Sequence, residues 1–441
     1  EGCPQSAMPP GFQWDDRVNL PRARAIRYHD VVLDLHRRGV PYRDEARAYE
    51  PLERAHHTTR TARPYQAEAL QAWRSGGRRG TVILPTGAGK SFVAELCIRD
   101  ADRATLVVAP TLDLVGQWYD GLVRAFGEPV GILGGGHHEV HPITVSTYDS
   151  AWMHMERYGN RFGLLVFDEV HHLPGPSFAQ AAELAIAPFR LGLTATLERP
   201  DMEHERVFDL VGPIVYRREI TDLAGDFLAD YRTEVLQVHL SDEDRQAYEE
   251  ARQTFRGFVE SRGIRMGGRG GWAHFLRESA CSAEGREAFK AWRESRRVLQ
   301  AAEAKLELAA ELLRKHVDGR VILFTNDNAT VYDISRRLLV PAITHQTDLK
   351  ERKAILDGFR DGTLPVIATS RVLNEGVDLP SADVAIVLSG TSTKREHVQR
   401  LGRILRPQEG KQAVLYELVV ADSVEERQSQ RRRDHVAYRD E

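Results

Sequence analysis

The stretch Leu84-Pro85-Thr86-Gly87-Ala88-Gly89-Lys90-Ser91 follows an apolar run at 81–84 and precedes a helical pattern at 92–98. A strand, a Gly-rich turn and a helix N-terminus in this order form a phosphate site, because turn N–H groups and the positive helix end face the phosphate oxygens. We expect Lys90 to reach the β- and γ-phosphates of a nucleotide and the Ser91 hydroxyl to bind Mg²⁺. The cradle would be formed by Thr86, Gly87, Ala88 and Gly89. The alternative is an ordinary Gly turn with a surface lysine.

Apolar runs alternate with helical stretches beyond this turn, at 104–109, 112–126, 143–146, 164–167 and 190–193. The alternation predicts an α/β fold with a parallel sheet, in which ligands bind at the carboxyl ends of the strands. The polar or turn-forming residues that follow these runs are therefore candidate site residues: Pro110, Thr111, Ser146, Thr147, Asp168, Glu169, Thr194 and Thr196.

An acidic pair follows one of these runs directly. Asp168 and Glu169 come after Leu164-Leu165-Val166-Phe167. One carboxylate can hold Mg²⁺ while its neighbour orients or deprotonates an attacking water. We assign Asp168 to the metal and Glu169 to the water. The alternative is a solvated turn at a strand end.

A glutamine begins the helix before the phosphate turn, in Arg63-Pro64-Tyr65-Gln66. Its amide offers both a donor and an acceptor, which matches the polar edge of adenine. We expect Gln66 to contact adenine; the alternative is a solvent-facing helix start.

Composition restricts the class of protein. The chain is 42% hydrophobic and 28% charged, as in globular proteins, and 441 residues suffice for two or three domains. No apolar run approaches the ~20 residues of a membrane span, and no signal peptide is evident. Three distant cysteines, Cys3, Cys97 and Cys281, predict a reducing, cytoplasmic compartment. The net charge of −4 argues against a general nucleic-acid coat but allows local DNA-binding patches.

Three histidines lie close together in Gly134-Gly135-Gly136-His137-His138-Glu139-Val140-His141. Their spacing does not fit H-E-x-x-H, and the flanking glycines and Pro142 disfavour the helix that this metal motif needs. The pattern favours a surface loop.

The βα alternation stops between Ser241 and Lys305, where the sequence is helical and polar. Residues 252–300 contain eleven Lys or Arg against five Glu, an excess of six positive charges. Basic residues neutralise phosphates and aromatic faces stack on bases. We interpret the positive charge as functional and the interleaved aromatics as the segment's own core. These aromatics are Phe255, Phe258, Trp272, Phe275, Phe289 and Trp292.

A second βα series begins at 321–324 and continues at 342–345, 366–369 and 384–389. Instead of a phosphate turn it carries Glu375-Gly376-Val377-Asp378 and Gln399-Arg400-Leu401-Gly402-Arg403-Ile404-Leu405-Arg406. Arginines three residues apart lie largely on one helix face. Such a row can stabilise charge on a transferring phosphoryl group, although alone it is more often a solvated face.

T-G-A-G-K-S, D-E-V-H, T-A-T and Q-R-L-G-R-I-L-R in this order resemble superfamily 2 helicases. D-E-V-H-H, L-G-L-T-A-T, P-A-I-T-H-Q-T and Q-R-L-G-R-I-L-R-P are similar to the XPB family. The resemblance covers about 63–418. It implies two RecA-like domains, ATP hydrolysis coupled to movement on DNA, and 3′-to-5′ unwinding in repair or transcription-linked DNA processing.

The resemblance also assigns site residues. Arg63 and Gln66 would contact adenine, and Thr194 and Thr196 would link hydrolysis to the grip on DNA. The full set that we expect to couple hydrolysis to DNA is Pro110, Thr111, Ser146, Thr147, Thr194, Thr196, Arg199 and Asp201. The second domain would contribute Gly376, Asp378, Gln399, Arg400, Arg403 and Arg406, with Arg403 and Arg406 as arginine fingers.

Other features depart from the family or add to it. The basic segment resembles the thumb that grips DNA, and 14–44 resembles the end of a damage-recognition domain. The family's Arg-Glu-Asp element appears as Arg199-Pro200-Asp201, and proline removes the acid and a backbone donor. Duplex translocation without strand separation is therefore an alternative. Two further alternatives are a scaffold that binds ATP without hydrolysing it and an RNA helicase. Microbial relatives imply a nuclease partner.

The sequence thus predicts an N-terminal appendage at 1–58, an ATP-binding RecA-like domain at 59–232, and a second RecA-like domain at 233–441 with a helical thumb at about 243–300.

Overall fold

The computed structural model describes residues 8–9, 11–197, 204–223, 230–266, 270–370, 382–389 and 412–433. The chain forms two compact units, Glu1–Glu219 and Ile220–Glu441. Among the described residues no helix is both long enough and apolar enough to cross a membrane.

The N-terminal segment is a small hairpin and helix that continue into the first unit. Strands β1 (Gln13–Asp15) and β2 (Leu20–Arg22) pair antiparallel, and helix α1 (Tyr28–Arg37) follows. Backbone hydrogen bonds from Ala48 to Asn160 and from His57 to Ala125 tie the segment to the unit, as does the one from Ala104 to Glu50. Buried Tyr49 joins the core of the unit.

The first unit is built on one sheet, which has eight strands in the part of the chain that is described. The strands are β3 (Arg79–Ile83), β4 (Thr105–Ala109), β5 (Gly131–Gly134), β6 (His137–His138), β7 (Ile143–Thr147), β8 (Leu164–Asp168), β9 (Phe189–Thr194) and β10 (Ile214–Arg217). Their spatial order is β10-β3-β9-β8-β4-β7-β5-β6, and all neighbours are parallel except β5 and β6. The predicted parallel sheet is confirmed.

Helices surround this sheet, and several begin at a side-chain cap. They are α2 (Pro64–Ser75), α3 (Lys90–Ala101), α4 (Leu112–Phe126), α5 (Tyr148–Tyr158), α6 (Ala179–Glu183) and α7 (His204–Leu210). The central strands β4, β7 and β8 are buried along their whole length. Their continuous apolar runs therefore reflect burial on both faces of a parallel sheet.

The histidine-rich stretch lies at the surface, as predicted, but His137 and His138 form a strand rather than a loop. His137 and His138 form a two-residue edge strand that pairs with Leu133 and Gly134. The glycines still have a role, because Gly135 and Gly136 turn the chain with φ of +61° and +89°. Turn residues that permit a tight reversal here make a hairpin.

The second unit has its own sheet, all parallel and six-stranded within the described ranges. Its strands are β11 (Asp230–Val238), β12 (Val321–Phe324), β13 (Ala342–Ile343), β14 (Val366–Thr369), β15 (Val384–Val387) and β16 (Gln412–Val420), in the order β11-β16-β15-β12-β14-β13. Its helices are α8 (Asp242–Ser261), α9 (Gly271–Cys281), α10 (Ala283–Gln300), α11 (Glu303–Lys315), α12 (Asn328–Leu338), α13 (Leu349–Asp361) and α14 (Val424–Arg433).

Strand β11 shows that the boundary between the two units differs from the predicted one. All nine of its residues pair with β16, so Asp230 to Arg232 belong to the second sheet. The boundary predicted between residues 232 and 233 falls inside this strand, whereas the units divide between Glu219 and Ile220. Sequence periodicity missed the strand because it precedes the helical insert rather than alternating with helices.

Helices α8, α9 and α10 form the predicted helical insert around an aromatic core. Phe255, Phe258 and Phe275 are buried, with Phe289 and Trp292 packed against them. Trp272 is 38% exposed, with its ring 4.6 Å from that of Trp292. The interpretation of the aromatics as an internal core is confirmed for all of them except Trp272, which covers the edge of that core.

Candidate active site

The phosphate turn connects the end of β3 to the start of α3. Gly87 and Gly89 have φ of +88° and +80°, a left-handed conformation that favours glycine. A Cβ atom at Gly89 would also lie 2.6 Å from Nε2 of Gln66. The Lys90 Nζ donates to the Leu84 carbonyl at 3.4 Å, while Ser91 is exposed. The turn thus has the glycines, the ammonium and the hydroxyl that the sequence predicted, at the end of a buried strand.

Gln66 holds this turn from the side. Its Nε2 donates to the Ala88 carbonyl at 3.0 Å, and its Oε1 accepts from the Arg63 backbone N–H at 3.0 Å. The Tyr65 hydroxyl donates to the same Ala88 carbonyl at 2.8 Å. Adenine contact by Gln66 stays a prediction, and the sequence did not predict that this amide fixes the conformation of the turn itself.

A cleft of about 310 Å³ opens beside the turn. A volume of this size suits a small ligand group. The Arg60 guanidinium lies 4.2 Å from the centre of the Phe92 ring and forms an ion pair with buried Glu95. Arg60, Thr61 and Phe92 were not predicted, because none belongs to a recognisable spacing. The cleft is lined by Arg60, Thr61, Arg63, Gln66, Gly87, Ala88, Gly89 and Phe92.

Asp168 is buried at the carboxyl end of β8. Its Oδ2 accepts from Nε1 of Trp118 at 2.8 Å, and its Oδ1 accepts from the Glu169 backbone N–H at 3.0 Å. Burial raises the pKa of Asp168, while the Trp118 hydrogen bond and the positive charge of Lys90 act in the opposite direction. The positive charge of Lys90 therefore favours the ionised carboxylate, as a site shared by phosphates and a cation requires.

Glu169 connects the acidic pair to the next strand. It has φ of +47°, and its Oε2 accepts from the Thr194 hydroxyl at 3.3 Å. Nδ1 of His171 lies 3.0 Å from the same hydroxyl, which also contacts the Thr196 carbonyl at 2.7 Å. The D-E-V-H and T-A-T segments therefore share one hydrogen-bond network centred on Thr194.

Three neighbouring strands bring these parts together. The spatial order β3-β9-β8 puts the phosphate turn, T-A-T and the acidic pair at the carboxyl ends of adjacent strands. Parallel strands end at the same edge of a sheet, which is where ligands bind in such folds. The arrangement can hold an anion on backbone N–H groups and a hard cation on carboxylate and hydroxyl oxygens.

The two residues that follow β4 and the last two residues of β7 have structural contacts. Thr111 caps α4 by accepting from the Leu114 N–H, and Thr147 caps α5 by accepting from the Ser150 N–H. Ser146 is fully buried and donates to the Leu133 carbonyl at 2.9 Å. Pro110 is half-buried beside Thr111. The sequence predicted all four for coupling to DNA, and this stays a prediction; the Ser146 hydroxyl is itself fully buried and supports the end of the strand.

Two residues that the sequence did not single out support Asp168. Trp118 lies on the buried face of α4, and the Tyr148 hydroxyl donates to the Asp168 carbonyl at 2.9 Å. Their only sequence signal is an aromatic residue with a polar atom on an apolar helix face. Such residues usually find a hydrogen-bond partner when buried.

The remaining predicted site residues lie outside the described residues. They are Arg199, Asp201, Gly376, Asp378, Gln399, Arg400, Arg403 and Arg406.

Three protein families match parts of the chain. Residues 1–46 match the xeroderma pigmentosum group B helicase damage recognition domain, 59–199 the type III restriction enzyme res subunit, and 287–439 the ERCC3/RAD25/XPB C-terminal helicase. The first match agrees with the resemblance inferred for the N-terminal segment.

Individual proteins show the same relationship. The chain is 40% identical to the DNA 3′-5′ translocase XPB2 of Sulfurisphaera tokodaii over 97% of both chains. It is 31% identical to the DNA 3′-5′ helicase XPB of Mycobacterium tuberculosis, over 82% of this chain and 61% of that protein. The crystal structure of the Pyrococcus furiosus Hef helicase domain has a similar fold, with a TM-score of 0.55, 19% identity, and coverage of 84% of this chain and 97% of that one. The chain therefore belongs to the XPB family of superfamily 2 helicases, enzymes that hydrolyse ATP.

Proposed function

We propose that this chain moves 3′ to 5′ on DNA by hydrolysing ATP, in DNA repair or in transcription-linked processing of DNA. The observation that carries the proposal is the position of the phosphate turn, the acidic pair and T-A-T at the ends of β3, β8 and β9. A family relationship alone would not locate the chemistry. This geometry puts an anion cradle and two carboxylates on one edge of one sheet.

The residues of the turn fit the phosphates of ATP. Gly87 and Gly89 have no Cβ atom that would block a phosphate from approaching the backbone N–H groups of the turn. The N-terminus of the twelve-residue α3 adds the positive end of its helix dipole. Lys90 would exchange its 3.4 Å contact with the Leu84 carbonyl for a phosphate oxygen. The adenine would enter the cleft beside Gln66 and Arg63, where Arg60 and Phe92 add a flat, charged wall.

The oxygen ligands also fit Mg²⁺, which prefers carboxylate and hydroxyl oxygens. Ser91 and Asp168 would hold the ion, and when bound it would neutralise charge on the phosphates. The Trp118 and Glu169 N–H hydrogen bonds fix the orientation of the Asp168 carboxylate. Because each oxygen of a carboxylate can accept more than one bond, both retain capacity for the ion or its waters.

Glu169 would orient and deprotonate the attacking water. Its contact with Thr194 links the Glu169 carboxylate to T-A-T. A movement of T-A-T when DNA binds would therefore move this carboxylate, which acts as the general base. By resemblance, Gly376, Asp378, Gln399, Arg400, Arg403 and Arg406 of the second unit would complete the site. Turnover would then require both units to close on ATP, which is how DNA would stimulate hydrolysis.

Phosphate release, titrated with single-stranded DNA, duplex DNA and RNA, tests this function. We expect hydrolysis to be low without nucleic acid and to rise severalfold with DNA. Equal stimulation by RNA would contradict the assignment to DNA. A chain that binds ATP but releases no phosphate with any nucleic acid would be a scaffold.

Duplex translocation without strand separation is a second candidate. It is favoured by the 40% identical relative, whose name is DNA 3′-5′ translocase, and by Arg199-Pro200-Asp201 in place of Arg-Glu-Asp. A strand-displacement assay run beside a triplex-displacement assay separates the two. Displacement of a third strand without separation of the duplex would identify a translocase.

A nuclease partner and a cytoplasmic location remain predictions. Co-purification from the native cell followed by a nuclease assay tests the partner, and fractionation of the same lysate tests the location.

A further inference from the structure

A cavity of about 610 Å³ lies in the second unit, between α8 and the start of α14. The strongly basic stretch that the sequence analysis singled out forms one of its walls. Tyr248 closes one end, since its hydroxyl accepts from the Val424 backbone N–H at 3.2 Å. The cavity is therefore fixed between two helices that are linked by a hydrogen bond.

Three arginines line this cavity: Arg252 and Arg256, one turn apart on α8, and Arg427 on α14. Within the described part of the chain, none of the three forms an ion pair with a carboxylate. Nε of Arg252 is buried without a hydrogen-bond partner, while its guanidinium lies 5.4 Å from the Phe255 ring centre. A buried donor without an acceptor is destabilising, and more so when the group is charged, so a negative charge placed beside Arg252 would be favourable.

The three guanidinium groups repel one another. Burial lowers the pKa of Arg252, and the positive charges of Arg256 and Arg427 lower it further, whereas Tyr248 acts in the opposite direction. Converging arginines with an unpartnered donor are suited to a phosphate or carboxylate, which accepts several N–H bonds at once.

Carboxylates also occur among the lining residues, at Glu249, Glu260 and Asp422. All three are exposed, and none of them forms an ion pair with the three arginines. These acids would repel the further phosphates of a continuous DNA backbone, so the charges of the lining favour a single phosphate group.

We propose that Arg252, Arg256 and Arg427 form a binding site for one phosphate group, carried either by the end of a DNA strand or by free phosphate. Bound phosphate would accept from the exposed guanidinium groups of Arg256 and Arg427 and so bridge α8 to α14. The insert would thereby be joined to the C-terminal helix of its own unit. All three arginines belong to the second unit, and the phosphate turn belongs to the first.

Phosphorus-31 NMR of inorganic phosphate added to the full chain tests the site. The chain used in this experiment carries Lys90→Ala, so that the phosphate turn does not contribute to phosphate binding. We expect the phosphate resonance to broaden and the effect to saturate with a Kd on the order of 1 mM. Arg256→Gln and Arg427→Gln should each weaken binding about tenfold, because each removes a charged hydrogen bond. Arg286→Gln, on exposed α10 surface outside the cavity, should change nothing.

Competition distinguishes the source of the phosphate. A short oligonucleotide with a 5′-phosphate should displace inorganic phosphate, and the same strand with a 5′-hydroxyl should not, if the natural ligand is a strand end. If neither strand displaces it, the site takes free phosphate.

Three results would overturn the site. The first is no saturable broadening, and the second is equal phosphate binding by the parent and both cavity variants. The third is competition in which acetate prevents phosphate binding at the same concentration as phosphate itself. Circular dichroism of each variant verifies folding, and two exposed arginines provide two independent variants.

Discussion

The indole Nε1 of Trp118 donates a 2.8 Å hydrogen bond to Oδ2 of Asp168, across 50 residues of sequence. The bond favours the charged carboxylate, against a burial that raises its pKa. Because the folded pKa of Asp168 lies above its usual value, the stability contributed by this group is lost as pH rises through the folded pKa. The fold thus keeps a buried charge available for a metal ion at some loss of stability.

Trp118→Phe tests this relationship. Without the hydrogen bond the pKa of Asp168 rises further, so a larger fraction is protonated and unable to hold Mg²⁺. We expect the acid limb of the kcat/KM profile for ATP hydrolysis to move to higher pH, with activity lost mainly at acidic pH. The free energy of unfolding should fall by about 1–3 kcal/mol.

Trp73→Phe is the matched control. Trp73 is fully buried and its Nε1 donates to the Arg190 carbonyl at 2.9 Å, away from the acidic pair. We expect a similar loss of stability and an unchanged pH profile. Identical profiles for Trp118→Phe and the parent would show that the bond does not tune Asp168.

The sequence predicted the parts of the site that follow from local patterns. Glycines at a strand–helix junction and acids after an apolar run have a direct physical meaning, so Lys90 and Asp168 were identifiable. Trp118 was not, since a partner 50 residues away leaves no spacing signal. Strand β11 was missed because it precedes the helical insert rather than alternating with helices, and its pairing with the distant β16 leaves no local pattern. Long-range pairing depends on packing, which periodicity does not encode.

Gly89→Ala should damage the phosphate turn. Its φ of +80° is strained for alanine, and the new Cβ would lie 2.6 Å from Nε2 of Gln66. We expect a loss of about 1–3 kcal/mol in stability and weaker binding of a fluorescent ATP analogue, measured by titration.

Gly116→Ala provides the contrasting variant. This residue lies within α4, and no atom outside its own helix backbone lies within 4 Å of the position that a Cβ would take. Alanine should stabilise the chain by about 0.5–1 kcal/mol and leave nucleotide binding unchanged. Normal nucleotide affinity for Gly89→Ala would show that the turn does not hold phosphate.

Thr194→Val tests the link between hydrolysis and DNA. The hydroxyl joins Glu169, His171 and Thr196, and valine keeps the shape without the hydrogen bonds. We expect the stimulation of ATP hydrolysis by DNA to fall about tenfold, with a smaller change in the unstimulated rate.

Thr105→Val is the control for this variant, because Thr105 is a buried threonine on β4 whose hydroxyl donates to the Arg103 carbonyl at 2.8 Å. Its stimulation by DNA should equal that of the parent. Equal stimulation in Thr194→Val as well would remove the network from the coupling mechanism.

Arg403→Ala tests the expected arginine finger. A finger acts on charge in the transition state, so turnover should fall about a thousandfold while ATP binding changes little. Single-turnover kinetics and equilibrium binding separate the two effects. Arg314→Ala, on the exposed surface of α11, is the control. A loss confined to affinity would mean that Arg403 binds ATP rather than its transition state.

Phosphate release with and without DNA, compared between the parent and Lys90→Ala, is the decisive test of ATP hydrolysis at the phosphate turn. Lys90 contacts only the Leu84 carbonyl among the described hydrogen bonds, so alanine should leave the fold and its thermal unfolding intact. We predict DNA-stimulated hydrolysis in the parent and none in the variant. Normal turnover by a folded Lys90→Ala chain would contradict this assignment.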